Sequence, residues 1–166
     1  VGSPLFTDTF SALGANPTQM SWADAQPALA SGAVDGQENP LTIFTAAKLH
    51  TVGQKNVTLW GYVADPLIFV VNKEVWASWT AEDQKIVREA AVEAGKQVIE
   101  MARKGLVAPD LSMIATVEGL GVNVVKLTPE ERTAFVKATE KVYKKWAKTI
   151  GQDLVTKAEK AIAARK

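Results

Sequence analysis

The sequence predicts an α/β fold that is rich in helix, with a small mixed sheet, and three observations support this. Several segments begin with a helix-capping residue and continue with apolar residues at helical spacing. The middle of the chain instead carries two runs rich in β-branched and aromatic residues, at 58–63 and 67–71. The second run is apolar at every position, which indicates a strand buried on both faces of a sheet. Such strands usually lie inside α/β layers.

Local signals predict three helices in the first third of the chain, at about residues 5–13, 21–32 and 39–50. Ser21 is typical of an N-cap, and Asp24 completes a variant of the capping box. Gly32 is typical of a helix end. Asn39 followed by Pro40 is the usual pairing of an N-cap with proline at the first helical position.

The last half predicts further helices and one short strand. Thr80 and Thr128 each precede an acidic residue at the third helical position, so each is expected to start a long amphipathic helix. The first should end near Gly105 and the second should break at Gly151. Between and after them we expect a helix at 111–118, a strand at 122–125 and a final amphipathic segment at 154–162.

Composition excludes several classes of function. A hydrophobic fraction of 47% with 22% charged residues is typical of a globular protein, and a net charge of +1 argues against nucleic-acid binding. The absence of cysteine removes disulfides and thiolate chemistry, and a single histidine, His50, removes His-based triads and multi-His metal sites. We therefore expect no cofactor, no metal and no enzyme. No signal-peptide pattern is visible, so we expect a processed or truncated product.

Residues 32–40 are the most informative stretch, because they join a helix end, a turn and a new helix start. Asp35 and Glu38 could serve as paired carboxylates for acid–base chemistry, but no nucleophile or base stands nearby in sequence. A structural interpretation is favoured, in which Asp35 belongs to the turn. Asn39 could cap the helix alone or also present its side chain to a ligand, and local chemistry leaves both open.

Five tryptophans are many for this length. Trp146 is expected in the core, and Trp76 and Trp79 are expected to pack beneath the helix that starts at Thr80. Trp22 and Trp60 could each offer an aromatic wall beside the polar stretch, or could equally be core residues.

The chain resembles the C-terminal part of the DctP-type solute-binding proteins of tripartite ATP-independent periplasmic (TRAP) transporters. The most specific match is residues 28–40, which is similar to the family's helix followed by a G-x-V-D-G-Q-E-N-P segment. Residues 13–17 resemble the family's "lGA-x-P" turn, and residues 71–76 resemble the exit of a strand. The order and spacing of these motifs carry the resemblance over essentially the whole chain.

The resemblance implies a two-lobed periplasmic protein that closes on a carboxylate and delivers it to membrane permease subunits. The family's main carboxylate anchor is an arginine at the position just before Val1, since a guanidinium binds a carboxylate in bidentate fashion. That arginine is absent here. The arginines present lie in predicted helices elsewhere: Arg88, Arg103, Arg132 and Arg165.

Six positions match ligand-contacting or cleft positions of the family. Asn39 matches its ligand-contacting asparagine, Trp22 an aromatic pocket wall, and Ser3 a residue soon after the missing arginine. The strand that crosses between the lobes is matched by Trp60, Tyr62 and Asp65.

The resemblance implies that residues 1–166 are one nearly complete lobe plus helices that normally cover the other, with the N-terminal half absent. Helices without their lobe would expose apolar faces, so we expect self-association or segment exchange. The expected ligand is an organic acid, a dicarboxylate or a related carboxylate, bound poorly by this part alone. The alternative is a stand-alone helical domain whose amphipathic helices dock on a partner protein.

Overall fold

A computed structural model of the chain describes residues 3–63 and 67–164. It is 63% helical with one parallel pair of strands, so the prediction of a helix-rich fold is confirmed. In chain order the elements are α1 Pro4–Ala12, α2 Trp22–Ser31, α3 Leu41–Ala46, a 3₁₀ turn Leu49–Val52, β1 Asn56–Leu59, α4 Lys73–Ser78, α5 Ala81–Arg103, α6 Ser112–Gly119, β2 Asn123–Lys126, α7 Pro129–Ile150 and α8 Gln152–Ala163. No helix in the described ranges is both long and apolar enough to cross a membrane.

The chain divides into two compact units. Unit one combines residues 3–36 with residues 126–164, and unit two consists of residues 37–125.

Unit one is built by α1 packing on α7, with α8 against α7. Its buried apolar residues are Leu29, Val142 and Ala147. The Asp8 carboxylate of α1 accepts a hydrogen bond from Lys145 Nζ at 2.6 Å and another from Trp146 Nε1 at 2.8 Å. These two contacts tie the first helix of the chain to α7. Trp146 is only half-buried at this junction, so it lies at the edge of the core and not inside it as expected.

Acid should weaken the junction between α1 and α7. The hydrogen bonds from Lys145 and then Trp146 hold the pKa of Asp8 below the ordinary 3.8 of aspartate. Because the pKa is lower in the folded state, the contribution to stability is present above the unfolded pKa and is lost as pH falls through the folded pKa. We therefore expect urea unfolding monitored by tryptophan fluorescence to show a loss of stability below about pH 4.

The variant Asp8→Asn should be less stable than wild type at pH 7 and should lose less stability on acidification. In the double variant Asp8→Asn/Lys145→Met, little further loss is expected because the pair is already broken. An acid profile of Asp8→Asn identical to that of wild type would contradict the assignment.

Unit two has its core where α3 meets α6. Buried side chains from these helices and their neighbours converge there: Leu41, Phe44, Leu49, Ile114, Val117 and Val122. The parallel pair β1–β2 lies in the same part of the chain, where the Asn123 amide donates to the Lys55 carbonyl at 2.8 Å. A tight turn precedes α6, with the Gly105 amide donating to Asp110 Oδ2 at 3.0 Å.

The helix caps predicted at Ser21, Thr80 and Thr128 are confirmed. The Ser21 hydroxyl accepts from the Asp24 amide at 3.2 Å, and Thr80 does the same for Asp83 at 3.1 Å. Thr128 and Glu131 form a reciprocal capping box. Helix ends at Gly32, at Lys104 and at Gly151 also lie where the sequence places them.

The predicted helix from Asn39 to His50 is wrong. Pro40 occupies the cap position, α3 ends at Ala46, and a separate 3₁₀ turn follows. The interruption is at Lys48, whose φ of 52° is left-handed and cannot continue a right-handed helix. His50 consequently lies in the 3₁₀ turn, not at the end of an α-helix as expected, and its Nδ1 atom is buried without a hydrogen-bond partner.

The predicted buried strand at 67–71 is also wrong. Residues 67–71 belong to no helix or strand of the described structure, and Leu67, Ile68, Phe69 and Val70 are 77–87% exposed. The pattern is that of a central strand, but the described residues offer it no neighbouring strand. The strand predicted at 58–63 is shorter and begins earlier, as β1, because β2 pairs only with that part of the chain.

Helix α5 follows the predicted apolar spacing but has no buried residue. Its first turns pack on α4, where Gln84 Nε2 donates to the Trp76 carbonyl at 2.8 Å and the Arg88 guanidinium lies 5.2 Å from the Trp76 ring centroid. Further along, Val98 and Met101 are 49% and 71% exposed. Tryptophans 76 and 79 thus pack at the start of this helix, as expected.

The accessible surface of the chain is 12425 Å². Large apolar side chains contribute to this surface, among them Leu67, Ile68, Phe69 and Val70, which are 77–87% exposed.

Candidate ligand-binding site

The stretch from Gly32 to Pro40 begins with the end of α2. Gly32 has a φ of 74°, and the amides of Ala33 and Val34 both return to the Ala28 carbonyl, at 2.9 and 3.3 Å. This is the hydrogen bonding of a glycine-terminated helix. The predicted helix stop is confirmed.

Asn39 does not cap α3. Its Nδ2 atom donates to Gln37 Oε1 at 2.5 Å, and no side-chain cap bond is made at the start of α3. The interpretation of Asn39 as an N-cap is therefore wrong. The reason is position, because Pro40 occupies the cap of α3 and Asn39 lies one residue before it. The exposed Asn39 and half-buried Gln37 form a small polar cluster on this loop.

Trp60 and Tyr62 form a stacked aromatic pair. Their ring centroids are 4.2 Å apart and their planes differ by 9°. In an ordinary extended strand, residues two apart are separated by about 6.6 Å along the chain. Gly61 between them has a φ of 56°, a conformation that glycine adopts at little cost, and it breaks the extended path. The two rings can then meet face to face.

Glu38 anchors this pair. The Tyr62 hydroxyl donates to Glu38 Oε2 at 2.6 Å, which is a short, charge-assisted hydrogen bond. Glu38 thus links the loop at residues 32–40 to the aromatic pair, across 24 residues of sequence. From the sequence, Glu38 is expected only as a possible catalytic carboxylate. The signal that could have marked it is its place inside the G-x-V-D-G-Q-E-N-P segment.

The remaining predicted site residues stand as follows. Trp22 is the first residue of α2 and is 45% exposed. Ser3 precedes α1 without a side-chain cap bond, and its carbonyl accepts from the Thr7 amide at 3.1 Å. Both belong to unit one, whereas Asn39, Trp60 and Tyr62 belong to unit two. Asp65 lies outside the described residues.

The arginines of the described residues lie on helices, as the sequence predicts. Arg88 and Arg103 are in α5, and Arg132 is in α7. Arg88 already stacks on Trp76. Within residues 3–63 and 67–164, no group of three acidic or histidine side chains could hold a metal ion.

Comparison with known proteins decides the family. Residues 1–149 match the family model DctP, described as bacterial extracellular solute-binding protein, family 7. The chain belongs to this family. Its helix-rich α/β architecture is that of a portion of a TRAP periplasmic solute-binding protein.

Solved structures of TRAP periplasmic solute-binding proteins resemble the chain over almost its whole length. A TRAP periplasmic solute-binding protein of Ralstonia eutropha, with bound (S)-2-hydroxy-2-methyl-3-oxobutanoate, is 69% identical and has a TM-score of 0.96 over 99% of this chain. One from Sulfurospirillum deleyianum, with bound succinate, is 28% identical and has a TM-score of 0.80 over 96% of this chain. This chain covers 52% and 51% of those two proteins.

Curated relatives match this chain over a similar share of their own length. The ectoine-binding periplasmic protein TeaA of Halomonas elongata is 30% identical over 150 residues, which are 90% of this chain and 43% of TeaA. The chain thus spans about half the length of the relatives that it matches.

Proposed function

We propose that the chain is the C-terminal portion of the solute-binding subunit of a TRAP transporter. In this proposal the complete protein works in the periplasm, captures an organic acid and presents it to membrane permease subunits, with no chemistry done on the solute. The observation that carries the proposal is the 69% identity, with a TM-score of 0.96, to a solute-binding protein with a bound acid.

The proposed ligand is a small carboxylate. The ligands named for two solved relatives, 2-hydroxy-2-methyl-3-oxobutanoate and succinate, are both carboxylates. A dicarboxylate remains within the proposal, but the more similar relative makes a branched hydroxy-oxo acid the first ligand to try. The stacked Trp60–Tyr62 pair supports this choice, because aromatic faces favour the flatter, less polar end of such an acid.

Binding by this portion alone should be weak. The arginine expected to pair with the ligand carboxylate is not among its residues, and Arg88 is engaged with Trp76. Charge-assisted bidentate pairs are the strong element of carboxylate recognition. The proposed contacts of Ser3, Trp22, Asn39, Trp60, Tyr62 and Asp65 supply the remaining surface.

Calorimetric titration tests the proposal. The parent protein, read from the gene upstream of the Val1 codon, should carry a signal peptide and bind at least one of (S)-2-acetolactate, succinate or related organic acids. The 166-residue chain should bind the same acid at least about 100-fold more weakly, since it lacks the charged anchor.

The variant Tyr62→Phe of the parent should bind less tightly, because the phenol loses its bond to Glu38 and the stack loosens. Phe135→Leu, in unit one, is the control for general destabilisation. Failure of the parent to bind any carboxylate in the panel would refute the proposal. A start codon next to Val1, with no upstream half, would favour the helical interaction domain.

A further inference from the structure

Glu38, Trp60 and Tyr62 form one connected group within unit two. The Tyr62 hydroxyl donates to Glu38 Oε2 at 2.6 Å, and the Tyr62 ring stacks on that of Trp60 with centroids 4.2 Å apart. All three side chains are half-buried, so each keeps part of its surface accessible. We call the two stacked rings, Trp60 and Tyr62, the aromatic platform.

The backbone of the aromatic platform belongs to no helix or strand. Trp60 follows the last residue of β1, and residues 60–63 are irregular. Gly61, between the two rings, has a φ of 56°, and glycine reaches several other conformations at similar cost. The side-chain bond from Tyr62 therefore restricts a segment that the backbone leaves adaptable.

Glu38, in contrast, lies next to the core of unit two. Pro40 occupies the cap of α3 and has a fixed φ, which limits the path of the chain after Glu38. Leu41 and Phe44 of α3 are 7% and 2% exposed, so the helix that follows is held by buried side chains. Glu38 thus connects the adaptable aromatic platform to a well-packed part of the unit.

Unit one contains a second tyrosine–glutamate bond that serves as an internal comparison. The Tyr143 hydroxyl donates to Glu159 Oε1 at 2.5 Å, between α7 and α8. Among the described residues, no aromatic ring stacks on Tyr143. The two bonds have the same chemistry, but only the one from Tyr62 holds an aromatic pair.

We propose that Glu38 is a positioning residue of the ligand site, which acts through Tyr62 to hold the aromatic platform as a preformed wall for the apolar part of an organic acid. A preformed wall lowers the cost of ordering the site on binding. The acid that gains most is one with methyl or ketone groups beside its carboxylate, and succinate, with a carboxylate at each end, gains less. This inference rests on the proposed function, because it takes the platform as part of the acid-binding site.

Calorimetric titration of the parent protein with (S)-2-acetolactate tests the role of Glu38. Glu38→Ala should weaken binding at least about tenfold, the usual weight of a hydrogen bond to a charged group. The double variant Glu38→Ala/Tyr62→Phe should bind within about threefold of Glu38→Ala, because both substitutions remove the same bond. Glu159→Ala is the matched control and should leave the affinity unchanged.

Near-ultraviolet circular dichroism of the 166-residue chain, without any acid, tests the aromatic platform itself. The difference between wild type and Tyr62→Leu is the signal of the stacked pair. Glu38→Ala should lose at least about half of this signal, since the stack is no longer held. Glu38→Gln should keep most of it, because glutamine retains an acceptor oxygen. Glu159→Ala should keep all of it.

Three results would overturn the inference. The first is a full platform signal in Glu38→Ala, and the second is an equal loss of signal or affinity in Glu159→Ala. The third is additive loss of affinity in the double variant, which would show that Glu38 acts on the acid independently of Tyr62. Failure of the proposed function is a separate result, because it appears in the wild-type parent as binding of no acid and leaves the optical measurement unaffected.

Discussion

Replacing Gly105 with alanine should lower the free energy of unfolding of unit two by about 3 kcal/mol. Gly105 has a φ of 76°, where an L-residue costs about 1–2 kcal/mol. A Cβ atom there would also lie 2.7 Å from the Met113 amide nitrogen and 2.9 Å from its Cβ. Since the first of these is backbone at the start of α6, relief needs the helix to shift, which typically costs about 1–3 kcal/mol.

Gly121→Ala is the matched control for Gly105→Ala. Gly121 has a φ of 75°, but nothing lies within 4 Å of the position that its Cβ would take. The free energy of unfolding of Gly121→Ala should fall by only about 1–2 kcal/mol, which is the cost of placing an L-residue in the left-handed conformation. Urea unfolding of both variants measures the difference. Equal losses would show that the close approach to Met113 plays no part.

The 166-residue chain should self-associate in solution when it is alone. Leu67, Ile68 and Phe69 are each at least 78% exposed, and apolar surface of this extent drives association. We expect sedimentation velocity to show concentration-dependent growth in mass between about 1 and 100 µM, the range of weak protein association.

The double variant Leu67→Asp/Phe69→Asp should shift that association to at least about tenfold higher concentration, because each charge opposes burial. Val136→Asp/Leu154→Asp, at 59% and 61% exposed positions of α7 and α8, is the control. A chain that sediments as a monomer throughout the range would contradict the prediction. If the control variant shifts the association equally, the association does not depend specifically on Leu67 and Phe69.

Local features could be predicted from the sequence because they depend on residues within one helical turn. The caps at Ser21, Thr80 and Thr128 each join a hydroxyl to an amide three residues away. The same local reasoning failed at Lys48, where a left-handed residue interrupts a run with acceptable helix propensity.

Features that need a distant partner could not be predicted in this way. Residues 67–71 have the composition of a buried strand, but burial requires a neighbour that the described residues do not supply. The bond from Tyr62 to Glu38 spans 24 residues, so no periodicity reveals it. The resemblance named Tyr62 and Asn39 as site residues, but it could not show that Asn39 turns to Gln37.

Unit one is assembled from residues near both ends of the described chain. It can therefore fold completely only after almost all of the described chain has been synthesised. Asp8 meets Lys145 only after 137 further residues have been made, whereas all of unit two lies between them. Closing so long a loop is entropically costly, and distant contacts form late. Until α7 leaves the ribosome, the Asp8 carboxylate has neither Lys145 nor Trp146 to accept a hydrogen bond from.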